Sequence, residues 1–123
     1  MDLFGNILGK SESAAPFIQK AELLLDKGKM DEAVKQCRKA LEIEPKNGPA
    51  WYLLGTGERA LGNYTAALEA FSKCSDLLPQ DPAVWIARAN ILAHLGRFAD
   101  AVTSLERLPA SDLSRRDLLL KKR

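Results

Sequence analysis

Trp51-Tyr52-Leu53-Leu54-Gly55-Thr56-Gly57-Glu58-Arg59-Ala60-Leu61-Gly62-Asn63-Tyr64-Thr65-Ala66-Ala67-Leu68-Glu69-Ala70-Phe71 is the stretch that decides the fold. Trp51, Leu54 and Gly55 recur at helical spacing before Gly62, and Tyr64, Ala67, Leu68, Phe71 and Cys74 do so after it. Each run therefore has one apolar face of a helix. Gly62 stands between them, where the chain can cap the first helix in a left-handed conformation without a side-chain penalty. The stretch reads as two antiparallel helices joined by a tight turn.

Working outward, the chain aligns with itself at a shift of 34 residues. Gly28, Gly62 and Gly96 fall in one column, and Ala33, Ala67 and Ala101 in another. Trp51 and Trp85 match each other, with Phe17 in the first copy; Met30, Tyr64 and Phe98 form a further column, as do Cys37, Phe71 and Leu105. The small residues Ala21, Gly55 and Ala89 are expected to face the alanine column, so that two backbones approach closely while the Trp, Tyr and Phe columns fill the space around them. Pro45 and Pro79 close the first two units. Asn47-Gly48-Pro49 and Asp81-Pro82 place a capping side chain and a proline where a new helix opens, and Ser13 with Pro16 is expected to do so for the first unit. The spacing predicts helices over 14–27, 30–44, 48–61, 64–78, 82–95 and 98–108, in units of about 14–47, 48–81 and 82–111.

These residues resemble the tetratricopeptide repeats, whose pattern is W-x2-L-G-x2-Y, then A-x3-F, then P, at a 34-residue period. The second unit matches with Trp51, Leu54, Gly55, Ala67, Phe71 and Pro79, and carries Glu58 at the tyrosine position. The third keeps Trp85, Ala89, Ala101 and Leu105, with Arg88 for the leucine and Leu92 for the tyrosine. The first has Phe17, Ala21, Leu24, Ala33, Cys37, Ala40 and Pro45. The resemblance covers most of the chain. It implies an all-α fold, a right-handed superhelical stack of antiparallel helix pairs of the α-solenoid kind, with a domain over 13–123 preceded by a flexible or amphipathic segment, 1–12.

Pro109 ends the sixth helix, and Ser111-Asp112 open a last helical stretch over about 112–122 with Leu113, Leu118, Leu119 and Leu120 on one side and Arg115, Arg116, Lys121, Lys122 and Arg123 on the other. A stack needs a polar-backed end, so this stretch reads as a capping helix. The other readings are a longer array cut short and a basic tail that docks on acidic lipid or nucleic acid.

Composition excludes several classes. The formal charge of +2 over 123 residues is too small for binding driven by counterion release, so no nucleic-acid partner is expected. No run approaches a membrane span. The N-terminus carries Asp2 where a secretory signal has basic residues, which makes a cytoplasmic location the expectation. Cys37 and Cys74 belong to no CxxC or Cys/His group, so both read as reduced packing residues and no metal is expected. His94 stands alone near a helix end, no nucleophile has a base beside it, and no glycine-rich loop could hold phosphate. The acids Asp31, Glu32, Glu42 and Glu44 read as solvated faces and first-turn charges. Neither catalysis nor a cofactor is expected.

What the resemblance implies about function is a concave groove lined by the first helix of each pair. In this register the groove positions are Ile18, Glu22 and Leu25; Tyr52, Thr56 and Arg59; and Ile86, Asn90 and Ala93. Apolar anchors with a few polar neighbours suit a partner's extended segment or amphipathic helix. Some members of the family hold acidic chaperone C-termini through lysine, arginine and asparagine. Here those positions read Ile18, Glu22, Leu53, Ala83 and Ala87, which argues against such a tail. The alternative is a self-association or scaffold module, the groove being covered by a second copy or by the chain's own Leu3, Phe4, Ile7 and Leu8.

Overall fold

The computed structural model describes residues 13–108. The N-terminal segment 1–12, with Leu3, Phe4, Ile7 and Leu8, and the expected capping helix over 112–122 lie outside the described residues. Among the described residues there are six α-helices and no strand: α1 (Ala15–Asp26), α2 (Met30–Ile43), α3 (Gly48–Ala60), α4 (Tyr64–Leu77), α5 (Pro82–His94) and α6 (Phe98–Leu105). They pack as antiparallel pairs in a stack, each helix against the next along the chain, and α1 also touches α3 directly.

The turn within each pair is made three times in the same way. Gly28, Gly62 and Gly96 have φ of +77°, +84° and +81°. Around Gly62, the amide of Asn63 donates to the Glu58 carbonyl at 2.8 Å and the amide of Gly62 to the Arg59 carbonyl at 2.9 Å. Lys29 and Arg97 repeat the longer bond at 2.8 Å, onto Leu24 and Leu92. This is the Schellman arrangement, which occupies the carbonyls that a helix end leaves open.

The turns between pairs use the side chains expected of them. Asn47 accepts from the Ala50 amide at 2.9 Å, and Asp81 from the Ala83 amide at 3.0 Å. Trp51 Nε1 donates to the Pro45 carbonyl at 2.8 Å, and Trp85 Nε1 to the Pro79 carbonyl at the same distance. The Lys73 ammonium stands 5.8 Å from the Trp51 ring centre and the Arg107 guanidinium 5.6 Å from that of Trp85, again one repeat apart. The two tryptophans therefore have matching surroundings.

The core runs through the stack as linked clusters. Ala21, Val34, Cys37, Leu54 and Ala70 join the first two units; Ala67, Phe71, Ala87 and Ile91 join the second and third. Gly55 packs on the ring of Phe71: a Cβ added there would stand 2.7 Å from it. The glycine at this position thus accommodates an aromatic side chain more than the alanine column.

Four expectations are corrected. The sixth helix ends at Leu105, not 108, and the Leu108 amide turns back to the Leu105 carbonyl at 3.1 Å. Pro109 accounts for this, since a helix continued through it would set the ring against that carbonyl and offer it no donor. Ser13 is not the cap of α1: that position is Ala14, which has no capping side chain, and Ser13 Oγ accepts from Ala15 at 3.3 Å. Glu44 is more than a solvated charge, because its carboxylate also accepts from the Ala14 amide at 3.1 Å and from Asn47 Nδ2 at 2.8 Å. Those bonds, the one from Asn47 first, hold its pKa below the usual 4.5. Finally, Phe98 does not fill the core as Met30 and Tyr64 partly do, but is 57% exposed. Tyr64 is covered by His94 of the next pair, ring centres 4.0 Å apart, whereas Phe98 has no fourth pair after it among the described residues.

Candidate functional site

The nine groove positions fall on the first helix of each pair: Ile18, Glu22 and Leu25 on α1, Tyr52, Thr56 and Arg59 on α3, Ile86, Asn90 and Ala93 on α5. None is fully buried. Glu22, Arg59 and Asn90 are exposed; the other six are half-buried, each with part of its surface in the core and part open. Ile18 leans on the Ala14, Ala40 and Ala50 cluster, and Ile86 and Ala93 on the one built around Trp85 and Leu92.

Tyr52 is the most firmly held of them. Its ring meets Phe71 at 5.6 Å between centres, tilted by 60°, and packs on the Phe71, Ala87 and Ile91 cluster. The Thr56 hydroxyl donates to the Tyr52 carbonyl at 3.0 Å, which leaves it only acceptor capacity toward a ligand. A half-exposed aromatic ring fixed by a buried neighbour can meet a partner with little loss of rotamer freedom. Arg59, in the last turn of α3 and seven residues further along the same helix, supplies an exposed cation to the stripe.

The register did not reveal the polar interior. Glu58, at the motif's tyrosine position, is 5% exposed and accepts from Arg38 Nη2 at 2.7 Å and from Asn63 Nδ2 at 2.9 Å. Arg38 lies on α2, so this ion pair ties the first unit to the second. Arg88, at the motif's leucine position, donates from Nε to Ser72 Oγ at 3.0 Å and from Nη1 to Ser104 Oγ at 2.5 Å, spanning α4, α5 and α6. Both departures were visible as residues; their partners, on other helices, were not. Cys37 and Cys74 are free and buried, and burial pushes each thiol up from 9.0 to about 11. The Cys74 thiol also donates to the Gly48 carbonyl at 3.3 Å.

Among the described residues no group of histidine, cysteine and acid side chains could hold a metal, and no helix is long and apolar enough to cross a membrane. His94 is exposed, its ring packed against that of Tyr64 at a tilt of 35°.

Against known families, one tetratricopeptide repeat model matches residues 58–120, just over half of the chain, and a second matches residues 14–47. The chain belongs to the tetratricopeptide repeat family. Domains of this family are non-catalytic protein–protein interaction modules, and this is one of them. A similar protein is the mouse Superkiller complex protein 3, 33% identical over 82 residues, which make up 67% of this chain but 5% of that protein. The chain thus spans a small part of that relative. Among solved structures, the Yersinia enterocolitica type III secretion chaperone SycD, in complex with a peptide of the translocator YopD, shares the tetratricopeptide fold at a TM-score of 0.75 and 21% identity, over 89% of this chain and 94% of that one. The first tetratricopeptide domain of Spaghetti, bound to an HSP90 peptide, does so at a TM-score of 0.74 and 19% identity, over 77% and 75%.

Proposed function

We propose that the tetratricopeptide domain captures a peptide or amphipathic helix of another protein along the first-helix stripe of Ile18, Glu22, Leu25, Tyr52, Thr56, Arg59, Ile86, Asn90 and Ala93. The observation that carries this reading is Tyr52, a half-exposed ring braced by Phe71 at the middle of three first helices that bury none of these nine residues fully. Partial burial leaves apolar surface to be covered and holds it in place beforehand. That a structure of this fold is described with a translocator peptide supports a peptide as the occupant. An acidic chaperone tail is disfavoured, because Glu22 and the apolar Ile18, Leu53, Ala83 and Ala87 offer a carboxylate no donor. A cytoplasmic setting is part of the proposal, and cell fractionation tests it.

The test is capture from source lysate by the wild type and by a Tyr52→Ala, Arg59→Ala double variant. The variant is expected to remain folded, losing about 1–2 kcal/mol with half of a tyrosine's contact area, and to lose the partner. Retention of the same partner by a folded variant sinks the proposal. A second reading, self-association, is favoured by the exposure of Phe98 at the end of the described stack. Light scattering over a concentration series separates the two: a mass that stays at one chain eliminates self-association.

A further inference from the structure

Arg88 occupies on α5 the place that Leu54 occupies on α3 one repeat earlier, where the side chain is 4% exposed. Arg88 itself is half-buried, and a guanidinium drawn out of water must be held by polar partners or stay costly. Ser72 and the fully buried Ser104 hold it from either side. They take two of its five N–H donors. Among the described residues no carboxylate comes within 4.0 Å of Arg88 or of Arg107.

The corresponding cavity at the first junction shows the contrast. It is lined by Arg38, Glu42, Trp51 and Leu54, and its guanidinium is answered from within by Glu58. At the second junction the residue one repeat after Glu58 is Leu92, which brings no charge. Arg88 instead faces a cavity of about 370 Å³, lined also by Ser75, Asp76, Thr103, Trp85 and Arg107. Arg107 is kept at its edge over the face of Trp85.

We infer that this cavity receives the side-chain carboxylate of an acidic residue of a partner protein, between Arg88 and Arg107. Two guanidinium groups and the Asp76 carboxylate leave one net positive charge, which a single carboxylate neutralises. A phosphate dianion would leave the cavity with a net negative charge. The Ser75 and Thr103 hydroxyls already donate to the Ser72 and Ala99 carbonyls, at 2.8 and 3.1 Å, so the free N–H groups of the two guanidinium groups are the donors for the two carboxylate oxygens. The lining residues share no member with the first-helix stripe, so the site is a second point of contact, independent of the groove.

The test follows the Arg88 Nε–H resonance of the full chain by NMR. The titrant is N-acetyl-glutamate N′-methylamide at constant ionic strength, with chloride and phosphate as comparison arms. A saturable shift with an affinity on the order of millimolar is expected. It should weaken about fivefold or more in Arg107→Gln, where one charge-assisted contact is lost. In Arg88→Leu, which puts the side chain of α3 at this place and is checked by its thermal melt, the Arg107 Nε–H signal should no longer respond. Three results overturn the inference: a shift no larger than that given by chloride, tighter binding of phosphate than of the blocked glutamate, or an unchanged affinity in the exposed-site variant Arg107→Gln.

Discussion

Gly55 and the two cysteines show how much single positions determine. A methyl group on Gly55 would press on the Phe71 ring, with three ring carbons at 2.7–2.8 Å. Gly55→Ala is expected to destabilise by about 1–3 kcal/mol, the usual cost of overpacking, even though alanine favours helix, and a urea melt measures it. Cys37 and Cys74 make a prediction in pH. Their folded pKa values, about 11, lie above the ordinary 9.0, so the neutral thiols contribute stability that is complete below pH 9 and lost as the pH rises through 11. Melting temperature should fall across that window, and fall less in Cys74→Ala. At pH 8 both thiols should resist a thiol reagent until urea unfolds the chain, whereas rapid labelling of native protein would count against their burial. The cysteines could be read as packing residues from their spacing alone. What made Gly55 necessary could not, since Phe71 meets it from the other side of a turn.

Each helix begins and ends on signals within a few residues of itself, which is why the elements were legible and where they failed is instructive. Asn47 and Asp81 cap as their positions imply, and the glycine column makes the same turn three times. The end of α6 was misplaced because apolar spacing continues to Leu108, while the proline after it acts on a carbonyl four residues back. The roles of Ser13 and Glu44 are not legible locally, because the Ala14 amide is satisfied from the far end of the same helix pair, thirty positions away in sequence. At Gly62 an added Cβ meets nothing within 4 Å, so the cost of replacing it is conformational alone. Gly62→Ala should cost about 1–2 kcal/mol, Gly62→Asn less, because asparagine tolerates the left-handed region, and Gly62→Val more. Differential scanning calorimetry should return that order, and equal melting temperatures would show that the turn is not under this constraint.

Across the whole stack, the contacts that join units are what the repeat pattern could not name. The 34-residue columns fixed which faces meet, and the first-helix stripe could be read from the same register; a partner could not, because the register says where a side chain stands and not what it meets. The Arg38–Glu58 pair is the clearest case of a junction made from residues the motif does not contain. Glu58 is buried and Arg38 is 58% exposed, so removing the arginine strands a charge while removing the charge strands nothing. Arg38→Ala is therefore expected to cost about 1–2 kcal/mol, reduced by solvent screening of the arginine, and Glu58→Gln less; a double-mutant cycle in chemical denaturation measures the coupling. The tryptophans extend this to the molecule in solution. The chain has two, and each indole N–H is latched to a proline carbonyl across one boundary, Trp51 to Pro45 and Trp85 to Pro79. Nature has in effect placed one fluorophore at each seam, so Trp51→Phe and Trp85→Phe proteins would let the opening of either seam be followed by emission wavelength, without any label.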